Sequence, residues 1–228
     1  MPKVPDKNQN IRDETIKVSD KLTNNKLKLA CDELALADPF LAIALEANGY
    51  PPLWSRPTGF ATLALIILEQ QVSLESARAV YRRLESLCQV VNVENVLSVG
   101  VEGLRSVGLT RQKAAYCTGL AQRITSGETS FRRIALANDQ NAHDMLCELK
   151  GIGSWTANVY LVFALGRPDV WPPGDIALMR SIAEIYGLES LPDDERCLEL
   201  AELWRPWRSV AARILWHSYL IKHDRGHL

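Results

Sequence analysis

An all-α fold built of many short helices is predicted by three observations. Apolar residues recur at helical spacing in one segment after another, as at Leu74, Ala77, Val80, Tyr81 and Leu84. Capping residues and Pro or Gly breaks punctuate these segments at short intervals. No segment alternates convincingly as a strand would; Val90-Val91-Asn92-Val93 comes nearest and is short. The varied helix lengths argue against a simple four-helix bundle, and no solenoid repeat is present.

Residues 1–26 read as a polar tail, with Pro2, Pro5 and no periodicity. The region 27–228 then carries the fold. A helix is predicted from Leu27, and Asp38-Pro39 caps a second through about Ala47, which Asn48-Gly49-Tyr50-Pro51-Pro52 breaks. A third, Thr58 to about Gln70, is apolar almost all round and should be buried. Ser73 caps a fourth, with Glu75 in its first turn. Short helices are expected at Val93–Val99 and Val101–Val107, then Arg111–Thr125 between Thr110 and Ser126-Gly127. Phe131–Leu136 and Ala142–Leu149 follow, then Ser154–Leu165, Ile176–Tyr186, Asp193–Leu203 and Pro206–Lys222.

The totals narrow the function. With 228 residues and 47% hydrophobic content, the chain can bury a sizeable core. No apolar run approaches the ~20 residues that span a bilayer, and the polar N-terminus has no signal core. Membrane and secreted classes are therefore disfavoured. The five cysteines are odd in number, widely spaced and without C-x-x-C, which suits a reducing compartment and no zinc or iron–sulfur site. Net charge is −1, so this is no basic nucleic-acid mop. Charge is nevertheless uneven: Arg105, Arg111, Lys113, Arg123, Arg132 and Arg133 face Glu128 alone, and Arg205, Arg208, Arg213, Lys222 and Arg225 face Asp224. Such regions are either polyanion sites or solvated helix faces.

The stretch Leu149–Asp175 carries most of the chemistry. Gly151-Ile152-Gly153 is a tight turn between helical runs, and Ser154 opens the next helix. Glycines let backbone N–H groups approach an anion, and a helix start adds positive partial charge. Pro172-Pro173-Gly174 then delivers Asp175 to another helix start. Each feature also has a plain explanation, a turn in one case and an N-cap in the other.

The string LKGIGSWTANVYL with the downstream acid in WPPGDIALMR resembles the helix-hairpin-helix DNA glycosylase superfamily. ILEQQVSLESA, LRSVGLTRQKAAY and WRPWRSVAARILW are similar to its 3-methyladenine (alkylated-base) branch, and the likeness runs from about Leu34 to Lys222. The resemblance implies a two-lobed fold with the active-site cleft between lobes, approximately 71–170 and 27–70 plus 171–228. It also implies a compact form without an extra N-terminal domain.

It implies roles residue by residue. The N–H groups around Gly151, Ile152, Gly153 and Ser154 would hold a DNA phosphate, and the carbonyls of Cys147, Leu149 and Ile152 a structural monovalent cation, Na+ or K+. Gln71, beside Gln70, would fill the gap left by an extruded base. Trp155 and Trp216 would form an aromatic pocket for a cationic alkylated purine, with cation–π attraction of roughly 0.5–2 kcal/mol per ring. Where the family may place another ring, this chain has Val159, with Tyr160 beside it. Asp175 would stabilise the developing sugar cation and activate water.

The lysine nucleophile of lyase-competent relatives is replaced by Trp155, and no cysteine follows Cys197 as the cluster-bearing branch requires. The expectation is a monomeric, monofunctional glycosylase for double-stranded DNA containing 3-methyladenine or 7-methylguanine, with no required cofactor. Lys/Arg-rich import runs are absent, which points to a bacterial cytoplasm and its nucleoid, or the nucleus if the source is eukaryotic. Two alternatives remain open: a non-catalytic damaged-DNA-binding module, and a glycosylase for deaminated bases using Asn158.

Overall fold

The computed structural model describes residues 21–224, and all the ordered elements among them are helical. In chain order they are α1 Asn24–Ala37, α2 Pro39–Asn48, α3 Phe60–Glu69, α4 Leu74–Cys88, α5 Val93–Ser106 and α6 Arg111–Thr125. Then come α7 Phe131–Leu136, α8 Asp139–Cys147, α9 Ser154–Tyr160 running into a π-helical turn at Leu161–Leu165, α10 Ile176–Tyr186, α11 Asp194–Leu203 and α12 Arg208–Lys222. None is long and apolar enough to cross a membrane.

Local chemistry explains most boundaries. Thr23, Asp38, Ser73, Asn92, Thr110, Asn138, Asp175 and Asp193 each accept a backbone N–H in the first turn that follows. Each cap satisfies a donor that has no intrahelical partner. Gly100 interrupts α5 at φ 63, ψ −178, which separates the two short helices expected there.

Two expectations need correction. α1 begins at Asn24 rather than Leu27 because Thr23 caps it, and Leu22 is already buried with its N–H donating to the Gly166 carbonyl at 2.8 Å. Residues 1–20 of the expected tail lie outside the described residues. The helix after the hairpin is not α-helical to Leu165, since its last turn widens into a π turn ended by Gly166 at φ 66. α3 packs against α4, α6 and α9. The helices thus fall into a central group, α3 to α9, and a terminal group in which α1, α2 and α10 pack on one another or on α12 and α11 packs on α12.

The C-terminal basic run also reads differently in three dimensions. Arg208 and Arg205 pair with Asp169 and Glu202, and Lys222 pairs with Glu184. Arg213 is 1% exposed and donates to the carbonyls of Leu53, Ser209 and Val162. Burial pushes its pKa down to about 9. These cations are structural, and Arg225 lies outside the described residues.

One acid ties the terminal group together. Asp38 caps α2 through the Phe40 and Leu41 N–H groups at 2.9 and 3.3 Å. Its other oxygen accepts the Trp204 indole N–H at 2.8 Å and the Tyr186 hydroxyl. Trp204 and Trp171 pack in the core at 5.4 Å between ring centroids. Asp38→Ala removes the cap and orphans the buried Trp204 indole and the half-buried Tyr186 hydroxyl. It should lower unfolding free energy by about 3–5 kcal/mol, measured by urea denaturation.

Candidate active site

Asp175 sits where the two helix groups meet. Its Oδ1 caps α10, accepting the Ala177 and Leu178 N–H groups at 3.0 Å each. The plain N-cap reading is therefore correct, and it is incomplete. The Trp155 indole N–H donates to Oδ2 at 2.8 Å, and the Trp216 indole N–H to Oδ1 at 3.2 Å. The carboxylate is consequently oriented from α9, α10 and α12 at once. The preceding turn is steadied by Asp194, whose Oδ1 accepts the Gly174 N–H at 2.8 Å.

The aromatic residues do not all face the same space. Trp155 is partly exposed, its ring edge fixed on Asp175. Trp216 is 4% exposed and stacked on Phe163 at 5.2 Å, 29° between planes. Val159 and Tyr160 are buried in the core. Tyr160 packs its ring against Phe131 at 5.8 Å and accepts the Gly59 N–H on its hydroxyl. Both side chains pack within the core.

Phe163, one turn after Val159, is buried and backs Trp216. Arg56 and Arg213 lie over Phe163 at 5.3 and 5.2 Å. The π turn contributes here, with the Val162 carbonyl accepting from Arg213 and the Phe163 carbonyl from the Arg56 backbone N–H. Arg56 is itself held by a bidentate pair with buried Glu69, both bonds 2.9 Å.

The hairpin is built as two glycines with different reasons. Gly151 has φ 88, and an added Cβ would fall 2.2 Å from the Tyr116 ring. Gly153 has an ordinary φ of −93 as the residue preceding α9, and a Cβ there would meet nothing within 4 Å. Ile152 is buried, its N–H donating to the Leu149 carbonyl at 3.0 Å. Ser154 is exposed and within 3.0 Å of His143 Nε2, whose Nδ1 lies 3.1 Å from Asp144. Gln71 is exposed with φ 57, a left-handed conformation uncommon for a non-glycine residue. Gln70 instead turns inward, donating to the Gly151 carbonyl and to Thr156 Oγ1.

The carbonyls of Cys147, Leu149 and Ile152 are neutral, hard oxygen donors of the kind that suits Na+ or K+. Leu149 retains a lone pair beyond its turn bond. All five cysteines are free, and among the described residues no cluster of His, Cys, Asp and Glu suits a metal.

Residues 64–206 match the model of the HhH-GPD superfamily of base excision DNA repair proteins. The chain belongs to that superfamily. Among HhH-GPD relatives, a DNA-3-methyladenine glycosylase of Bacillus subtilis is 28% identical over 202 residues, covering 81% of this chain and 65% of the relative. The chain thus spans slightly under two thirds of that relative's length. The DNA-3-methyladenine glycosylase 1 of Schizosaccharomyces pombe is 27% identical over 164 residues, 70% of this chain and 72% of the relative. A crystal structure of a DNA-3-methyladenine glycosidase from Bacillus halodurans superposes with TM-score 0.71 at 29% identity, covering 86% of this chain and 91% of that one. A Schizosaccharomyces pombe 3-methyladenine DNA glycosylase in complex with abasic DNA shares the HhH-GPD fold, with TM-score 0.75 at 24% identity over 82% and 95% of the two chains.

The two glycines make opposite predictions for folding. Gly151→Ala meets both a positive φ and the Tyr116 ring and should cost more than about 2 kcal/mol of stability. Gly153→Ala should stay within about 0.5 kcal/mol of wild type, because it fills open space. Paired denaturation curves measure both.

Proposed function

We propose that this protein is a monofunctional DNA glycosylase that extrudes alkylated purines, 3-methyladenine and 7-methylguanine, from duplex DNA and hydrolyses their N-glycosidic bonds. The observation that carries the reading is the carboxylate of Asp175, fixed by two indole N–H groups, one of them from Trp155 in the first turn of α9 just after the Gly-Ile-Gly hairpin. A fixed anion beside electron-rich rings fits a cationic base attached to a sugar that becomes cationic as the bond breaks.

In this reaction the C1′–N bond breaks heterolytically and its electron pair leaves with the base. An N-alkylated purine departs neutral, so it needs little acid assistance. Asp175 stabilises the oxocarbenium-like sugar, and a water attacking C1′ gives up its proton to the carboxylate. Trp155 presents a ring whose orientation is set by its bond to Asp175, while Trp216, backed by Phe163, supports the carboxylate from beneath. Trp155 also stands where a Schiff-base lysine would be needed, so the strand remains uncut after base release.

The DNA grip is assigned to the first N–H groups of α9, with Gly153 leaving room for a phosphate. Gln71, exposed on its left-handed turn, fills the space vacated by the flipped nucleotide. A monovalent cation held by the carbonyls of Cys147, Leu149 and Ile152 supplies positive charge at the phosphate. The protein acts as a monomer, in a bacterial cytoplasm or a eukaryotic nucleus. A deaminated-base specificity is less well supported, because Asn158 is 9% exposed and its Nδ2 is 3.4 Å from Ser154 Oγ.

Release of 3-methyladenine and 7-methylguanine from methylated duplex DNA tests the reaction. Asp175→Asn should slow release by about 10²–10⁴-fold; equal rates for variant and wild type would sink the mechanism, and no release by wild type would favour a damage-binding module. Replacing K+ by tetramethylammonium at constant ionic strength should weaken duplex binding, read by fluorescence anisotropy.

A further inference from the structure

The turn between α3 and α4 and the hairpin before α9 are far apart in sequence but tied together by one side chain. Gln70 Nε2 donates to the Gly151 carbonyl and to Thr156 Oγ1, at 2.9 Å each. The first bond fixes a peptide of the hairpin turn. The second fixes the helix that follows it. The backbone of Gln70 is held just as firmly, because Lys113 from α6 donates to the Leu68 and Gln70 carbonyls at 2.8 Å each. These are carbonyls at the C-terminal end of α3, which have no onward helical partner. Immediately beyond this double clamp, the chain enters the left-handed conformation at Gln71 that projects its side chain outward. A non-glycine residue persists at such a φ when its surroundings over-determine it.

We infer that Gln70 is a positioning residue that joins the phosphate-holding hairpin and the Gln71 wedge into one rigid unit. This rests on the glycosylase reading above, which supplies the phosphate and the vacated stack. Its consequence is that the offset between the two contacts is built in before DNA arrives. A phosphate seated on the hairpin places Gln71 at a set distance into the helix stack, so backbone grip and base extrusion occur together. The ordering cost of aligning two separate contacts is avoided. A Gln at this position is the residue type that can donate twice from one nitrogen at this reach.

The test is a double-mutant cycle on the full-length protein. The probe is a labelled duplex carrying a tetrahydrofuran abasic analogue opposite 2-aminopurine, whose emission reports unstacking. Gln70→Glu keeps the shape but cannot donate to the Gly151 carbonyl, and Gln70→Met removes the donor without adding charge. Thermal unfolding verifies that each variant folds. In the wild-type background, Gln71→Ala should weaken binding and reduce the 2-aminopurine signal. In either Gln70 background the additional effect of Gln71→Ala should shrink, giving non-additivity of about three- to tenfold in affinity. Both Gln70 variants should also lose emission change at saturating DNA, a readout that a loss of packing alone would not move.

Additive effects within twofold, with full emission change in the Gln70 variants, overturn the inference and leave Gln70 as a packing residue. A Gln71→Ala variant indistinguishable from wild type in both readouts overturns it by a different route. In that event the wedge assignment is itself wrong, and Gly153→Val then separates the failures, since its unimpaired binding would remove the hairpin grip as well.

Discussion

The structure depends on a carboxylate that three helices share. Asp175 is an N-cap by local chemistry, and an N-cap alone leaves one oxygen uncommitted. Here Trp155 from the central helices claims that second oxygen, and Trp216 reaches the first from α12. Hydrogen bonds to an ionised acceptor are among the stronger ones available to a protein. The seam between the helix groups is thus organised around an anion, held by the same bonds that join them.

Behind that seam lies a second tier that carries no chemistry of its own. Phe163 supports Trp216 from one face, Arg56 and Arg213 lie over Phe163, and Glu69 holds Arg56. A buried guanidinium is costly unless its donors are satisfied. Arg213 meets that condition with carbonyls from three separate segments, one of them in the π turn. The π turn is therefore matched to its setting: the Val162 and Phe163 carbonyls, in the last turn before Gly166, are taken up by Arg213 and by the Arg56 backbone N–H. The hairpin has comparable backing, with Tyr116 closed over Gly151 and Gln70 fastened to its carbonyl.

Features governed by local rules were legible in the sequence. Ser73, Thr110 and Asp175 cap the helices predicted for them, and the all-round apolar Phe60–Glu69 helix is buried. The glycine turn and its acid were visible as neighbours along the chain. What escaped notice depended on contacts between distant segments. Nothing local distinguishes buried Arg213 from the other cations of its run, which suited either a polyanion site or a solvated helix face. Tyr160 is buried and its hydroxyl accepts the Gly59 N–H, a contact between segments 101 residues apart that chain order does not show. Gln70 and Gln71 are identical residues side by side, yet one faces inward and the other outward because the chain reverses hand between them. Phe163 was hidden because the π turn alters the periodicity by which an apolar helix is read.

Asp38 gives this architecture an unexpected reach. It grips Tyr186, the last residue of α10, while Asp175 caps that helix at the opposite end. α10 is therefore pinned like a beam at both ends, one pin in the core of the terminal helices and the other at the seam with the central helices. Slack at the first would be delivered as misalignment at the second, without any change to a residue that touches Asp175. A survey of substitutions confined to the neighbourhood of Asp175 would overlook the acid that keeps the beam straight.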